Sequence, residues 1–315
     1  MKTILVTGAS GYVGKALCKV LAARSYKVSG LVRTVREPVP GVEYVGIDLE
    51  HSYNLSAVCQ DIDCIVHLAG RAHVLSEYDQ NPLEAFRRAN YEATLSLAQQ
   101  AVAAGVRRFI FISSIGVNGA ETSAKPFDEY SEPEPHADYA LSKLEAEQGL
   151  KSLLAGSGTE LVIIRPPLVY GVDAPGNFAR LLKLVATGLP LPLRGVDNRR
   201  SIISLGNLVG FISLCIEHPA AAEQLFLVSD GNDISTAEMV KALALGMDKR
   251  PLMLPVPNAL LKFGARLVGK EPLYTQLYRS LQVESSKARK LLDWQPEENT
   301  LETLVEVGRL YISQG

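Results

Sequence analysis

A buried strand that turns sharply into a helix opens the chain. Residues 4–6 (Ile-Leu-Val) form a continuous apolar run, which is typical of a strand covered on both faces of a parallel sheet. Gly8, Gly11 and Gly14 follow, and apolar residues at helical spacing come after them. Because parallel strands must be joined by crossover connections, usually helices, this unit predicts an α/β protein.

The alternation of strand and helix continues through about the first half of the chain. Further strands are predicted at residues 26–32, 42–45, 64–68, 109–113 and 161–165, and further helices at 55–61, 82–104 and 139–155. This pattern predicts a Rossmann-like, doubly wound parallel sheet in residues 1–165. Residues 166–315 begin with a stretch rich in Pro and Gly and are predicted to form a smaller substrate-binding lobe. Strands near Ile202 and at 225–228 are candidates to return to the main sheet.

Composition excludes several classes of protein. The chain has 32 Lys and Arg against 34 Asp and Glu, so it lacks the basic surplus of a nucleic-acid binder. The four cysteines show neither a CxxC nor zinc-like spacing, which predicts buried free thiols and no metal site. No apolar stretch approaches the ~20 residues that a transmembrane helix needs. We therefore expect a cytoplasmic protein without a membrane span.

The three glycines have the spacing of a dinucleotide-binding turn. Gly8 allows the tight turn, Gly11 lets the backbone approach a pyrophosphate, and Gly14 lets the helix pack closely on the strand. The helix N-terminus then offers free N–H groups to the phosphates. The residues predicted to hold the cofactor here are Gly8, Ser10, Gly11, Tyr12, Val13 and Gly14.

The end of the second predicted strand bears on the choice between NAD and NADP(H). A carboxylate at this place would bind the ribose hydroxyl of NAD, but Arg33 stands here and no acid follows before Glu37. Arg33 favours NADP(H), because a guanidinium can pair with the 2′-phosphate; a surface role for Arg33 would leave NAD open. Asp48 is predicted to accept from the adenine amino group, and Leu49 to pack on the ring.

A tyrosine and a lysine share one face of a predicted helix. Tyr139 and Lys143 are four residues apart, so their side chains lie one turn apart. A lysine cation beside a phenol is expected to lower the phenol pKa, which suits proton exchange with a hydroxyl or carbonyl. Ser113 and Ser114 end the fifth strand, and one of these hydroxyls is expected to bind the same substrate oxygen.

Together these motifs resemble the extended short-chain dehydrogenases/reductases of the sugar-nucleotide epimerase/dehydratase type. The matching pieces are TGxxGxxG at 7–14, DL at 48–49, HLAG at 67–70, NYEAT at 90–94, SS at 113–114, YxxxK at 139–143 and RPPLVYG at 165–171. The resemblance implies that Ser114, rather than Ser113, is catalytic, that Tyr139 is the acid/base and that Lys143 holds the ribose. It also implies cofactor contacts from Leu68, Ala69, Gly70, Asn90, Pro166 and Val169.

The same resemblance extends to substrate and assembly. Asn177 and Arg200 match positions that contact the diphosphate of a nucleotide sugar, and Arg71 and His73 are candidates to face the sugar. The implied substrate is a nucleotide-diphosphate sugar, of the UDP-N-acetylhexosamine type. The implied assembly is a homodimer formed through the helices near residues 82–104 and 139–155.

Two reactions at sugar C4 remain open. NADPH-dependent reduction of a UDP-4-keto-6-deoxy sugar, for surface-polysaccharide precursors, is favoured by Arg33; the alternative is a UDP-hexose or UDP-N-acetylhexosamine 4-epimerase with bound NAD. A 4,6-dehydratase is disfavoured because no acidic residue follows Ser114. A carbonyl reductase of a non-nucleotide substrate would give Arg200 nothing to bind. A non-catalytic NADP(H) sensor would not need the Tyr139–Lys143 pair.

Overall fold

The computed structural model describes residues 1–35, 37–52, 54–72 and 81–314. The strands are β1 (Thr3–Thr7), β2 (Lys27–Val32), β3 (Val42–Gly46), β4 (Cys64–His67), β5 (Arg108–Ile112), β6 (Glu160–Arg165), β7 (Leu168–Tyr170), β8 (Ile202–Ser204) and β9 (Gln224–Leu227). The helices are α1 (Tyr12–Ala23), α2 (Ser56–Cys59), α3 (Pro82–Arg87), α4 (Ala93–Ala103), α5 (Asp138–Leu154), α6 (Asn177–Thr187), α7 (Leu205–Glu217), α8 (Thr236–Gly246), α9 (Asn258–Leu267), α10 (Glu271–Tyr278), α11 (Ser286–Leu292) and α12 (Thr300–Ser313).

The main sheet has seven parallel strands in the order β3-β2-β1-β4-β5-β6-β9. The predicted Rossmann-like, doubly wound sheet is therefore confirmed. The strand order reverses between β1 and β4, and in such sheets the crevice outside the carboxyl ends of the strands at this switch point receives the ligand.

Alternate residues of each central strand enter two different hydrophobic cores. Ile4 and Val6 of β1 face α1 and α7, whereas Leu5 faces α4 and α5. All three are fully buried, because helices cover both faces of the sheet. This double burial explains why the strands appear in the sequence as uninterrupted apolar runs.

The later part of the chain divides its strands between two sheets. β9 joins the main sheet beside β6, as one of the two candidate returning strands was expected to do. The expectation for Ile202 was wrong: β8 pairs with β7 in a separate two-stranded sheet. A third core lies in the later lobe, around Phe178, Leu243 and Leu304. Trp294 instead packs against Phe211 in the core that contains Ile4 and Val6, which we call the first core, with ring centroids 5.0 Å apart.

The helix predicted over residues 82–104 is interrupted. A single π-helical turn, Arg88–Glu92, lies between α3 and α4. The extra residue in this turn changes the direction in which Asn90 points, and such turns are frequent at functional sites.

The four cysteines, Cys18, Cys59, Cys64 and Cys215, are all free and buried, as predicted. Within the described ranges, no helix is both long enough and apolar enough to cross a bilayer.

Candidate active site

A cleft of about 350 Å³ opens at the carboxyl ends of the strands, where the strand order reverses. It extends from the glycine turn past the end of β2 to the segment after β4. The predicted site residues that line it are Gly8, Ser10, Gly11, Arg33, Asp48, Leu49, Leu68, Ala69, Gly70 and Arg71. Residues scattered over 64 positions of sequence therefore share one groove, at the strand ends where open α/β sheets bind ligands.

The glycine turn brings three backbone segments into close contact. Gly8 has a positive φ of 65°, and a Cβ atom on it would lie 2.8 Å from the backbone nitrogen of Ala69. A Cβ on Gly14 would lie 2.2 Å from the carbonyl oxygen of Gly8. Gly11 is the N-cap of α1 and has no side chain to occupy the first N–H groups of the helix. These groups remain available to an anion such as a pyrophosphate.

We expect Gly14→Ala to destabilise the fold by about 1–3 kcal/mol and to weaken dinucleotide binding, because the new methyl group must displace the backbone of Gly8. The matched control is Gly210→Ala in α7, where a Cβ meets no atom within 4 Å. That change is expected to be neutral or to stabilise by about 0.5–1 kcal/mol. Urea unfolding and dinucleotide titration measure the two effects, and equal behaviour of the two variants would contradict the close-contact argument.

The adenosine end of the cleft is polar and open. Arg33 is exposed directly after β2, and Asp48 follows β3 on the other side of the groove. Partial burial by itself would raise the pKa of Asp48, but the N–H of Glu50, the ring of His51 and the charge of Arg33 together lower it. Asp48 is therefore an ionised acceptor at neutral pH.

The three predicted catalytic residues come from two neighbouring segments. Ser114 follows β5, and Tyr139 and Lys143 lie in the first turns of α5. A Cβ on Gly116 would lie 3.4 Å from both the Ser114 Oγ and the Ala140 Cβ, so the two segments pack closely. The Lys143 Nζ lies 3.4 Å from the place of a Cβ on Gly70, at the wall of the cleft. The structure thus places the Lys143 ammonium at the wall of the predicted cofactor groove, and Tyr139 one helical turn before Lys143.

The ionisation of the pair differs from the sequence expectation. Burial raises the pKa of Tyr139 to about 12, and no influence of Lys143 offsets it. Lys143 donates to the carbonyl oxygen of Ile112 at 2.9 Å. Burial lowers the pKa of Lys143 to about 8, although the Glu147 carboxylate acts to raise it. The expected lowering of the Tyr139 pKa was wrong for the chain by itself, because burial removes water from the phenol and favours its neutral form.

Asn90 connects the cleft wall to the catalytic helix. Its Oδ1 accepts from the backbone N–H of Arg71 at 2.8 Å, and its Nδ2 donates to the Arg71 carbonyl oxygen and to the Ser142 Oγ, each at 3.0 Å. Ser142 donates to the carbonyl oxygen of Tyr139 at 2.8 Å. Asn90 therefore fixes the segment after β4 relative to the start of α5.

A buried hydrogen-bond chain behind the cleft was not anticipated from the sequence. Thr94 donates to the Asn90 carbonyl oxygen (2.7 Å), so its Oγ1 accepts from the His67 Nε2 (2.9 Å). The Nδ1 of His67 then accepts from Thr7 (2.7 Å), whose Oγ1 accepts from the Ala69 N–H (3.1 Å). This order assigns a neutral His67 with its proton on Nε2. Burial and the Lys143 charge lower the His67 pKa to about 3.

We expect the fold to lose stability below pH 6.5 because of His67. Its folded pKa is about 3 and its reference value is 6.5, so between these limits the unfolded chain binds a proton that the native chain does not. One such group lowers the free energy of unfolding by about 1.4 kcal/mol per pH unit, which amounts to about 2 kcal/mol between pH 6.5 and 5. Urea unfolding of wild type and His67→Asn at both pH values measures this.

The His67→Asn variant should have a shallower pH dependence than wild type, whatever its absolute stability. The matched control is His136→Asn, an exposed histidine, which should keep the wild-type slope. If the free energy of unfolding of His67→Asn varied with pH as steeply as that of wild type, His67 would not be a buried histidine that stays neutral in the folded protein.

A buried ion pair joins α5 to β6. Arg165 donates from Nε and Nη2 to the two Glu147 oxygens, at 2.9 and 2.5 Å, and from Nη1 to the Asn118 Oδ1 at 3.0 Å. Both charged side chains are buried. Glu147 lies two helical turns after Tyr139, on the same side of α5. This spacing was the sequence signal that Glu147 could form a buried ion pair behind the catalytic residues.

Two buried hydroxyls are left without hydrogen-bond partners among the described residues: Tyr12 Oη and Ser113 Oγ. Tyr12 belongs to the glycine turn, and Ser113 precedes Ser114. Neither hydroxyl lines the cleft, and the Tyr12 Oη lies against Gly171. The feature that fits a nicotinamide dinucleotide is instead the glycine cradle, where the N-terminus of α1 has no side-chain cap beside the cleft.

The predicted substrate residues lie farther along the chain. Asn177 is exposed at the first residue of α6, and its Oδ1 accepts from Arg180. Arg200 is half-buried, donates to the Arg279 carbonyl oxygen at 3.0 Å, and has a pKa lowered by burial to about 10. No carboxylate pairs with Arg200 in the part of the chain that the structure describes. Arg71 lies along the dinucleotide cleft. His73 lies outside the described residues.

The remaining cofactor candidates are placed around the same site. Val13 lies in the first turn of α1, next to Tyr12. The carbonyl oxygen of Pro166 accepts from the Ile115 N–H at 3.0 Å, which links the end of β6 to the segment that holds Ser114. Val169 packs against the first core. The individual contacts of these residues with cofactor and substrate stay predictions.

The fold and the site together define an NAD(P)-binding enzyme of the Rossmann type. The family model described as NAD dependent epimerase/dehydratase family matches residues 4–228, and the chain belongs to this family. The UDP-glucose 4-epimerase of Vibrio cholerae is 42% identical over 314 residues, which cover 99% of this chain and 96% of that protein.

Two further comparisons widen this picture. The N-acetyl-alpha-D-glucosaminyl-diphospho-ditrans,octacis-undecaprenol 4-epimerase of Escherichia coli O157:H7 is 28% identical, over 82% of this chain and 77% of that protein. A short-chain dehydrogenase/reductase superfamily protein from Agrobacterium tumefaciens, solved with bound NAD, has a similar structure. Its TM-score is 0.80 at 22% identity, covering 99% of this chain and 97% of that one.

Proposed function

We propose that this chain is an NAD-dependent 4-epimerase of UDP-hexoses or UDP-N-acetylhexosamines. The observation that supports the proposal is the Lys143 Nζ beside Gly70 of the cleft, with Tyr139 one helical turn before it and Ser114 on the adjoining segment, in a chain similar over nearly its whole length to a UDP-glucose 4-epimerase. Fold alone would not support a reaction, since related folds carry many activities.

The chemistry that a bound nicotinamide supplies is reversible hydride transfer at a sugar carbon. Tyr139 exchanges the proton of the 4-hydroxyl, and Ser114 binds the same oxygen and orients it. Lys143 binds the nicotinamide ribose, and its positive charge together with that of the oxidised ring lowers the Tyr139 pKa when the site is filled. Arg200 holds the diphosphate, because a guanidinium that pairs with no carboxylate of the described residues is suited to phosphate oxygens. For epimerisation the sugar would also have to present its other face within the same site, so that Tyr139 could return the proton to the same oxygen.

A second candidate is an NADPH-dependent reductase of a UDP-4-keto-6-deoxy sugar. Arg33 favours it, since an exposed guanidinium at the end of β2 can pair with a 2′-phosphate. In this reaction Tyr139 only donates a proton. Its raised pKa keeps the phenol protonated at neutral pH, which suits this role. A lipid diphosphate as the sugar carrier is a further variant, motivated by the undecaprenol-linked substrate in the name of the Escherichia coli relative.

The experiment that separates the candidates uses one purified sample. The protein is denatured, and any released dinucleotide is identified by mass spectrometry. Intact protein is then incubated with UDP-galactose or UDP-N-acetylgalactosamine, and separately with NADPH and a UDP-4-keto-6-deoxy-N-acetylhexosamine. Retained NAD and interconversion of the C4 epimers without net redox support the epimerase. Stoichiometric NADPH oxidation would instead establish the reductase.

Arg33→Ser gives an independent measure of cofactor choice. If Arg33 pairs with a 2′-phosphate, the change lowers the affinity for NADP(H) about 10- to 150-fold and leaves the affinity for NAD(H) unchanged. This factor corresponds to the loss of one charge-assisted hydrogen bond, which contributes about 1.5–3 kcal/mol. The epimerase proposal expects no such selective loss. Isothermal titration calorimetry with both dinucleotides measures the ratio of the NADP(H) and NAD(H) affinities. The control is Arg24→Ser, because Arg24 is exposed at the C-cap of α1.

A further inference from the structure

An unusual share of the exposed apolar surface lies in one helical hairpin of the later lobe. The hairpin consists of α9 and α10 with the short segment between them. Of the 17 large hydrophobic side chains that the structure describes as exposed, five lie in the hairpin and two more directly precede it. They are Leu252, Leu254, Leu260, Phe263, Leu267, Val268 and Leu273. A concentration of this kind marks an interaction surface rather than scattered surface apolar residues.

The outer face of α9 is the centre of this surface. Leu260, Phe263 and Leu267 stand at positions i, i+3 and i+7, so they form one stripe, and they are 63%, 63% and 70% exposed. No residue of α9 is buried. The helix contacts α10 on its other side, which leaves this stripe uncovered.

Positive charge surrounds the stripe. Residues 248–279 contain six Lys and Arg but only two Asp and Glu, a surplus of four in a chain whose formal net charge is −2. Arg279 pairs with Glu121, and Lys249 donates to the Ala186 carbonyl oxygen. Arg250, Lys262, Arg266 and Lys270 are exposed, and among the described residues none of the four forms an ion pair. Lys262 and Arg266 are four residues apart and flank the stripe on the side of Phe263.

We propose that the α9–α10 hairpin docks this protein on an anionic lipid surface. A helix with large apolar side chains on one face and Lys and Arg beside them lies in the interface of a bilayer, with its apolar face among the acyl chains and its cations at the headgroups. The positive charge favours an anionic membrane over a second copy of the chain as the partner, because two such hairpins in contact would repel each other.

The hairpin is joined to the predicted diphosphate site. The Arg279 carbonyl oxygen, directly after α10, accepts from Arg200 and from the Asn198 Nδ2, both at 3.0 Å. Docking would therefore bring the substrate side of the later lobe to the membrane. The inference concerns binding to lipid and does not depend on which sugar is turned over.

Vesicle co-sedimentation tests the proposal directly. The full-length protein is mixed with vesicles of phosphatidylcholine alone and with vesicles that also contain phosphatidylglycerol. Binding is expected only to the anionic vesicles and should decline as salt is added, because the electrostatic part is screened. Phe263→Ser/Leu267→Ser and Lys262→Glu/Arg266→Glu should each weaken binding about tenfold or more.

Matched controls keep the same chemistry elsewhere on the surface. Leu189→Ser/Leu245→Ser removes two exposed apolar side chains outside the hairpin, and Lys19→Glu/Lys290→Glu reverses two exposed charges. Both should bind vesicles as wild type does. All four variants should keep wild-type turnover of a UDP-sugar in solution, so a failed docking proposal remains distinct from a failed assignment of function.

Two outcomes would overturn the proposal. One is equal sedimentation of the hairpin variants and wild type with anionic vesicles, including no binding by any of them. The other is a drop in mass on analytical ultracentrifugation when Phe263 and Leu267 are replaced, which would show that a second copy of the chain covers the stripe. The homodimer predicted through α4 and α5 would be unaffected by these changes.

Discussion

Tyr139→Phe is expected to lower kcat by a factor of about 10²–10⁴, the usual contribution of a positioned general acid or base. The change removes only the hydroxyl. The ring keeps its edge contact with Phe86, whose centroid is 6.1 Å away, so neither the fold nor substrate binding should change appreciably. The kinetic signature is therefore a loss in kcat with little change in KM.

The measurement uses whichever substrate the purified protein turns over, with thermal unfolding recorded in parallel. Tyr130→Phe is the control, because Tyr130 is exposed near the same segment and should keep full activity. If Tyr139→Phe retained more than about a tenth of wild-type kcat, Tyr139 would not be the acid/base.

Glu147→Gln is expected to destabilise the fold by about 3–5 kcal/mol, the cost of leaving a buried charge without its partner. The Arg165 guanidinium would remain in the interior with a neutral amide in place of a carboxylate. The side chains of Arg165 and Glu147 are only 3% and 1% exposed, so water cannot replace the missing charge. The variant is measured by urea unfolding at neutral pH.

The chain contains a matched control one half-turn away on the same helix. Glu145 pairs with Arg87 of α3 with similar geometry, but Glu145 is 25% exposed and Arg87 33%. Glu145→Gln should cost no more than about 1 kcal/mol, because solvent screens that pair. Equal losses of stability in Glu147→Gln and Glu145→Gln would contradict the argument that burial makes the loss of the partner charge more destabilising.

The same substitution has a functional readout. The Glu147 carboxylate raises the pKa of Lys143 against the effect of burial. Removing it should therefore lower the pKa of Lys143 further and move the alkaline decline of activity to lower pH. The replacement Glu147→Leu/Arg165→Met removes both charges, so it should recover stability relative to Glu147→Gln without restoring the wild-type pH profile.

The nicotinamide-binding fold could be predicted from sequence because its signals are local. Each central strand is a short apolar run, and Gly8, Gly11 and Gly14 stand at a fixed spacing between the first strand and the first helix. The spacing of Tyr139 and Lys143 places them on one helical face wherever the helix lies. Patterns of this kind depend on chain neighbours a few residues apart, so they can be recognised before any tertiary contact is known.

The properties that only the tertiary structure decided depend on distant contacts. β9 joins the main sheet while β8 does not, although both are short apolar runs of similar appearance. His67 is neutral because it is buried and lies near the Lys143 charge, and Tyr139 has a raised pKa because the folded chain removes water from it. The amino-acid sequence by itself predicted the parallel α/β sheet, which the structure confirms, and it proposed which side chains form the site. Their ionisation, their hydrogen-bond partners and the exposed hairpin were decided by burial, which is a property of the whole folded chain.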